Sequence, residues 1–533
     1  MKVWVGVLLF MALALFCAGG HAQPKAQVKT EVAVAPVPSA IFRFGITSEP
    51  TALDPTRVNS SESNYLLVNV LRSLYYVDKA GTARPEIAKV CTFLGGTPAH
   101  STKVRCELKP GAKWSDGQPI RASDFVQSWH RLLQPETKGS GAEVLRGVVA
   151  AKAIHKGAAK PETLGVQAVS DRILEVSLQE PDPEFLQRLA HPVLAPTRAD
   201  LFYDREHAAA AAYTGPYRVT DWKTGGRIRL EPNPFYETIQ KTAVRQRPSV
   251  EVLVLDDDET ALNLYREGTL TFLRRLPIQY LKAWKDSPEL HQIPVARFDY
   301  LGFGPALRSE TTFRQALAAA LNYEELRVIY SALGTPGCPS IDPQWMKSVP
   351  CLQFDLKRAQ ELWKAVPDEL KNRRFTLHFS KLGGESVQTG MEWMQAQWKK
   401  HLGFNVELKS VEQQMYLSML RTSPPEIFRK GVGLDRSTCL AAVEIFSKDD
   451  PENFIHLDRP DYEAALQRLR EAKNENDRKQ ACTDVVKILV DRAEIIPQGQ
   501  IHFSILAKPS FRGWILNPLN QLDLSHLQTI LKP

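Results

Sequence analysis

The sequence predicts an α/β protein built from more than one lobe, with mixed sheets. Three observations predict it. Stretches that alternate apolar and polar residues interleave with stretches of helical spacing in no strict order, which suits mixed sheets rather than a βαβ repeat. The chain has 533 residues, too many for one ordinary domain and suited to two or three. No internal repeat of fixed period runs through it, which argues against a solenoid.

The elements follow in order. Lys2 gives a positive start, Val5 to Phe16 is an apolar run too short for a dependable membrane span, and Gly20-His21-Ala22 offers small residues for cleavage. Residues 1–22 thus read as an export signal. An apolar run ending at Cys17 also suits a lipoprotein signal, but Phe16 puts bulk where a small residue is customary, which favours ordinary cleavage. Pro24 to Ala40 alternates Ala, Val, Pro and Lys, so residues 23–40 form a flexible leader. Ile41 to Ile46 is a short strand, followed by the proline-punctuated Glu49 to Pro55. Tyr65 to Tyr76 has helical spacing, with Leu66, Val70, Leu71 and Leu74 on one side. Val104 to Leu108 alternates like a strand and leads to a tight turn at Asp116-Gly117. Ser123 or Asp124 is placed to cap a helix whose Phe125, Val126, Trp129, Leu132 and Leu133 face inward. Val166 to Leu178 reads as a hairpin turning at Ser170-Asp171-Arg172, and Tyr217 to Leu230 as a strand pair turning at Gly225-Gly226.

Six of the seven cysteines lie beyond the signal. An even set in an exported chain is most simply three disulfides. Cys91 and Cys106 bracket a loop between strand-like stretches, and Cys338 and Cys351 bracket a Pro-rich loop, so each pair is taken as local. Cys439 and Cys482 remain as a long-range pair. Cys-x2-Cys spacing, which zinc would want, is absent. The charge balance of 67 basic and 60 acidic residues comes with no basic run, which makes nucleic acid a poor partner. Past the signal no 18-residue apolar stretch occurs, so no membrane span is expected. The acidic run Asp256 to Glu259 lacks the ligand spacing of a calcium loop, and Asp258 or Glu259 is better placed as a helix cap or first-turn charge. Neither His-Glu-x-x-His nor Gly-x-Ser-x-Gly is present, so no enzyme chemistry, metal or cofactor is expected.

Several motifs, collinear over nearly the whole exported chain, give it a resemblance to a known family. They are Glu49-Pro50-Thr51-Ala52-Leu53-Asp54-Pro55, Leu108 to Gly117 with Ala122 to Val126 and Ser128-Trp129, Thr214-Gly215-Pro216-Tyr217, and Asp258 to Tyr265 with Glu267-Gly268. Phe313 to Leu317 with Leu321-Asn322, and Gln397 to Lys400 with Leu402-Gly403 and Asn405 to Leu408, complete the set. In this order they resemble the family 5 extracellular solute-binding proteins, the oligopeptide and dipeptide receptors of ABC importers. The resemblance implies an α/β, two-lobed periplasmic-binding-protein-like fold of type II, with an extra small subdomain in the first lobe. It implies lobe I at 41–76 and 198–299 with a return at 506–533, the small subdomain at 77–197, and lobe II at 300–505. Crossovers are expected near Phe298 to Gly302 and Phe503 to Pro509. Trp114 and Trp129 are read as core aromatics.

The resemblance further implies a periplasmic monomer that encloses a short peptide or other small solute and hands it to an inner-membrane ABC permease. Peptide-binding members hold the ligand's amine with an Asp in the pattern Arg-x-Gly-x-x-x-Asp, and Arg429 to Asp435 reproduces that spacing. Asp435 is then the amine contact, or else a surface-loop residue. Arg429 serves a ligand carboxylate or an internal ion pair, and Gly431, Val432 and Gly433 a backbone rail. Gln413 and Val432 stand where the oligopeptide receptors carry Trp, and Arg436-Ser437-Thr438-Cys439 departs from the family after the Asp. Ser60 is a candidate on the opposing lobe. A non-peptide solute on the same scaffold, an exported hydrolase and a sensor remain alternatives.

Overall fold

The computed structural model describes residues 41–57, 61–137, 139, 141–236, 247–255, 257–330, 333–339, 351–380 and 384–530. The signal, the leader and Cys17 lie outside the described residues. Among those residues eleven strands form one sheet. Its order runs Val406–Val411, Phe375–Ser380, Ile427–Gly433, Leu290–Phe303, Ile495–Ala507, Phe272–Leu273, Phe42–Ile46, Val250–Val254, Arg227–Pro232 and Tyr217–Lys223, with Leu333–Pro336 also on Ile495–Ala507. Parallel and antiparallel pairs mix in it. A second sheet of four strands orders Ala88–Phe93, Lys103–Leu108, Ile173–Ser177 and Val166–Ser170, all antiparallel.

Two long strands, Leu290–Phe303 and Ile495–Ala507, carry the sheet from one half of the molecule to the other. They pair antiparallel from Leu290↔Leu506 to Gly302↔Ile495, with register breaks between Pro294 and Phe298 and between Asp299 and Tyr300. Proline cannot donate to a ladder, so a break beside Pro294 is where the pairing yields. The backbone freed there finds other partners: Ala296 donates to Pro518 O at 2.7 Å and accepts from Leu434 N at 2.8 Å. On its other edge, Arg297 to Phe303 pairs with Ile427–Gly433. The Leu434–Ala296 hydrogen bond at the break ties down the segment that leads into Asp435.

Each half has its own core. Phe42, Phe44, Leu66, Phe125 and Val219 belong to one cluster, which also takes Trp114 and Trp129. Both indoles are buried, and Trp129 Nε1 donates to Leu194 O at 3.1 Å. In the other half Phe313, Phe375, Trp398 and Phe404 pack together, while Tyr300, Phe428, Val432, Cys439 and Cys482 form a neighbouring cluster. The three disulfides are Cys91–Cys106, Cys338–Cys351 and Cys439–Cys482, in the pairing read from their placement. No helix among the described residues is long and apolar enough to cross a membrane.

Two local expectations are corrected, and a third holds in one of its two forms. The first helix spans Ser61–Val70 and stops before Tyr76; Tyr75–Val77 is a strand. The N–H of Arg72 donates to Thr214 Oγ1 at 2.8 Å, so a tertiary acceptor takes the group that would have extended the helix. In the helix Ala122–Leu133 the N-cap is Arg121, and Asp124 acts from the first turn by accepting the Arg121 N–H at 2.9 Å. In the helix Asp258–Arg266 the cap is Asp257, which accepts from Thr260 N at 2.7 Å, while Asp258 and Glu259 are first-turn charges.

Candidate functional site

Strand periodicity sorts the candidate residues onto two faces. Opposite Ile427–Gly433, the partner strand pairs Arg297 with Gly433, Asp299 with Gly431 and Leu301 with Arg429. Side chains two apart share a face, so Arg429, Gly431 and Gly433 lie with Arg297 and Asp299. Phe428 and Val432 point the other way, into the core with Tyr300 and Phe446. Val432, expected beside the ligand, is thus a buried core residue at 5% exposure.

Arg429 donates to Asp299 in a close ion pair, and both are buried. Of the two roles open to Arg429, this is the internal pair. Burial strips water from the guanidinium and Arg297 stands nearby; both pull its pKa down, while Asp299 supplies the countercharge. A Cβ at Gly431 would come within 2.6 Å of Asp299 Oδ1 and 2.9 Å of Arg297 Nη2. Any larger residue there would have to displace the charged side chains packed against it. A Cβ at Gly433 would meet nothing within 4 Å, so the rail opens on that side.

Gln413 begins the helix Gln413–Thr422, and its side-chain oxygen accepts from Ser380 Oγ. Ser60 lies outside the described residues.

Asp435 sits where the two halves meet, and guanidiniums from both reach it. Arg188, from the helix Phe185–Arg188 that follows the four-stranded sheet, places Nη1 3.3 Å from Asp435 Oδ2. Arg436 Nη1 lies 2.9 Å from the same oxygen. No hydrogen bond to Oδ1 occurs among the described residues, and the side chain keeps 38% exposure. Asp435 is neither a free loop carboxylate nor a fully consumed one.

Arg436 is the hub of the cluster, at 1% exposure. Its Nε donates to Glu184 at 2.9 Å and its Nη2 pairs closely with Glu444. Glu184 also accepts from Thr438 Oγ1 at 3.0 Å. That hydroxyl in turn caps the helix Cys439–Glu444 through Ala441 N at 3.2 Å. Arg188 reaches Asp182 at 2.8 Å and Glu444 at 3.5 Å, and Arg146 reaches Glu444 at 3.5 Å and Asp450 at 3.3 Å. The cluster holds five carboxylates against three guanidiniums. Burial pushes Glu444 up, but Arg436, Arg188 and Arg146 outweigh it and hold the carboxyl at about 2. Burial wins at Glu184, whose pKa is raised despite Arg436.

Sequence reasoning placed Asp435 and Arg429 but missed Glu184, Arg188, Arg297 and Asp299. The last two left a trace: charges two apart in a strand-like stretch must share a face. Glu184 and Arg188 left none, since their partners lie about 250 positions away.

The profile described as "Bacterial extracellular solute-binding proteins, family 5 Middle" matches residues 98–479. The chain is 28% identical over 503 residues to the probable deoxycholate-binding periplasmic protein of Escherichia coli K12, covering 90% of this chain and 91% of that one. It is 26% identical over 516 residues to the periplasmic oligopeptide-binding protein of Salmonella typhimurium LT2, covering 91% of each. A solved structure of the murein tripeptide binding protein in its unliganded open form superposes with a TM-score of 0.79 at 22% identity, over 92% of this chain and 98% of that one. The architecture is thus the α/β, two-lobed type II arrangement, with the four-stranded sheet as its smaller part.

Proposed function

Because the chain belongs to the bacterial extracellular solute-binding proteins of family 5, we propose that it is a periplasmic receptor for short peptides. It works as a monomer, without catalysis or cofactor, and delivers its cargo to an inner-membrane ABC permease. The signal is cleaved after Ala22, leaving Cys17 behind. Lobe I comprises 41–76, 198–299 and 506–533 with the subdomain 77–197, and lobe II comprises 300–505. Peptide contacts to both lobes shift the population toward the closed form.

One observation carries this reading: the junction around Asp435 has two carboxylates in excess of its guanidiniums, and Asp435 Oδ1 is left to accept. An ammonium stripped of water costs several kcal/mol unless paired, and a carboxylate-rich junction provides the partner. Gly431 to Gly433 then offers backbone to an extended ligand. Calorimetry with a free and an N-acetylated tripeptide tests it. A charge-assisted hydrogen bond contributes about 1.5–3 kcal/mol, so Asp435→Asn is expected to weaken the free peptide roughly 10- to 100-fold and leave the acetylated one unchanged. Equal affinity of wild type and variant for the free peptide would refute the amine contact.

A second reading, a non-peptide solute, is favoured by the two guanidiniums already on Asp435 and by the absence of a large aromatic at Gln413. The relative at 28% identity is named as a probable deoxycholate-binding periplasmic protein, which supports this second reading.

A further inference from the structure

Two guanidiniums share one oxygen of Asp435, and they are held unequally. Arg436 is fixed, with Nε on Glu184, Nη2 on Glu444 and Nη1 2.9 Å from Asp435 Oδ2. Arg188 stands differently. It ends the short helix Phe185–Arg188, which Phe185 and Leu189 root in the first core, whereas Val432 and Leu440, on either side of Asp435, belong to the core of the other half. Its Nε donates to Asp182 Oδ2 at 2.8 Å, a partner six residues back on its own side of the junction. Across the junction its contacts are longer, 3.3 Å to Asp435 Oδ2 and 3.5 Å to Glu444 Oε1. Those are the same two oxygens that Arg436 takes more closely. Like charges on one carboxylate oppose each other. The cation with its own anchor and only shared bonds across the junction is the one that yields.

We infer that Arg188 is a specificity-determining residue: before a ligand arrives it occupies Asp435 in place of the ligand's amine, and a ligand cation displaces it toward Asp182. Asp435 keeps 38% side-chain accessibility against 10% for Arg188, so the carboxylate is the member of the pair open to solute. An ammonium accepted on Oδ1 adds a third positive charge to that carboxylate. Arg436 is pinned, and Arg188, which keeps Asp182, gives way. The contact sets a threshold. A charged N-terminus gains Asp435 only by breaking the Arg188 bond, and an uncharged one gains nothing from breaking it. The inference rests on the peptide reading for the amine at Asp435, and it adds what sets the strength of that contact.

Calorimetry on the full exported chain tests it, with Ala-Ala-Ala and its N-acetyl form on wild type, Arg188→Gln and Asp182→Asn. The readout is the ratio of free to acetylated affinity, which a general loss of packing does not move. Arg188→Gln removes the competing cation, so the ratio is expected to rise about 10-fold. Asp182→Asn keeps the oxygen that accepts the Glu184 N–H at 2.9 Å. It removes the charge to which Arg188 retreats, so the ratio is expected to fall. Opposite signs separate competition from structural damage, which would push both variants the same way. Preference for the free peptide that appears only in Arg188→Gln is the same result in its strongest form. A wild-type preference for the free peptide that Arg188→Gln leaves unchanged or lowers, or that Asp182→Asn fails to lower, overturns the inference and leaves the peptide reading standing. If neither peptide binds any of the three proteins, the peptide reading fails and the inference falls with it.

Discussion

Arg436→Met is expected to lower stability by about 3–5 kcal/mol at neutral pH, the usual cost of stranding a buried charge. The side chain is buried and touches three carboxylates drawn from both halves of the molecule. Methionine fills a similar volume, so packing loss is small and the cost is electrostatic. Glu444 keeps Arg188 and Arg146, each at 3.5 Å, but Glu184 is left with the Thr438 hydroxyl as its direct hydrogen bond. This assigns a pH signature. Glu444 titrates at about 2 in the folded chain against an ordinary 4.5. A depressed carboxyl contributes stability above its unfolded pKa and loses it as pH falls through the folded one, here from about 4.5 to about 2, for roughly 3 kcal/mol in all. Glu184 has the opposite slope, because a raised pKa withdraws stability as pH rises. Urea titrations of wild type and variant between pH 3 and 7.5 should show a deficit that is largest at neutral pH and narrows toward acid. An equal deficit at every pH would mean that packing, not charge, holds the junction.

Removal of the Cys439–Cys482 bond, as Cys439→Ser with Cys482→Ser, should cost about 4 kcal/mol on the loop-entropy estimate for its span. That span is 43 residues, against 15 for Cys91–Cys106. Local consequences should follow as well. Cys439 opens the helix whose cap, Thr438, binds Glu184 and whose last residue, Glu444, binds Arg436. The bond anchors that helix to Glu475–Asp491 in the core. Loss of the bond therefore loosens the segment that positions Asp435, and peptide affinity should fall together with the unfolding midpoint. Cys91–Cys106 pins two adjacent strands of the four-stranded sheet, so Cys91→Ser with Cys106→Ser should lower stability with affinity preserved. Equal loss of affinity in both double variants would contradict this division of labour.

The parts of the molecule legible in sequence were those governed by local periodicity or by chain order. Alternation gave the strands at Lys103–Leu108 and Ile173–Ser177, and proximity paired Cys91 with Cys106. The Arg-x-Gly-x-x-x-Asp spacing located the strand end that delivers Asp435. What could not be read was set by tertiary partners. Thr214 ends the first helix across 142 positions. Arg436 was visible only as a departure from the family pattern, because its partner Glu184 is 252 positions away. Val432 stands between Gly431 and Gly433, yet a one-residue offset in a strand turns a side chain from one face to the other, here into the core.

The measurement that bears most directly on a peptide-capturing receptor is native mass spectrometry of the full chain, purified without denaturation from an export-competent host. The account predicts protein carrying a mixture of bound species that, on release, fragment as peptides a few residues long with free amines. A single non-peptide species in place of that mixture, or empty protein that takes up no peptide when a library is added back, would contradict it.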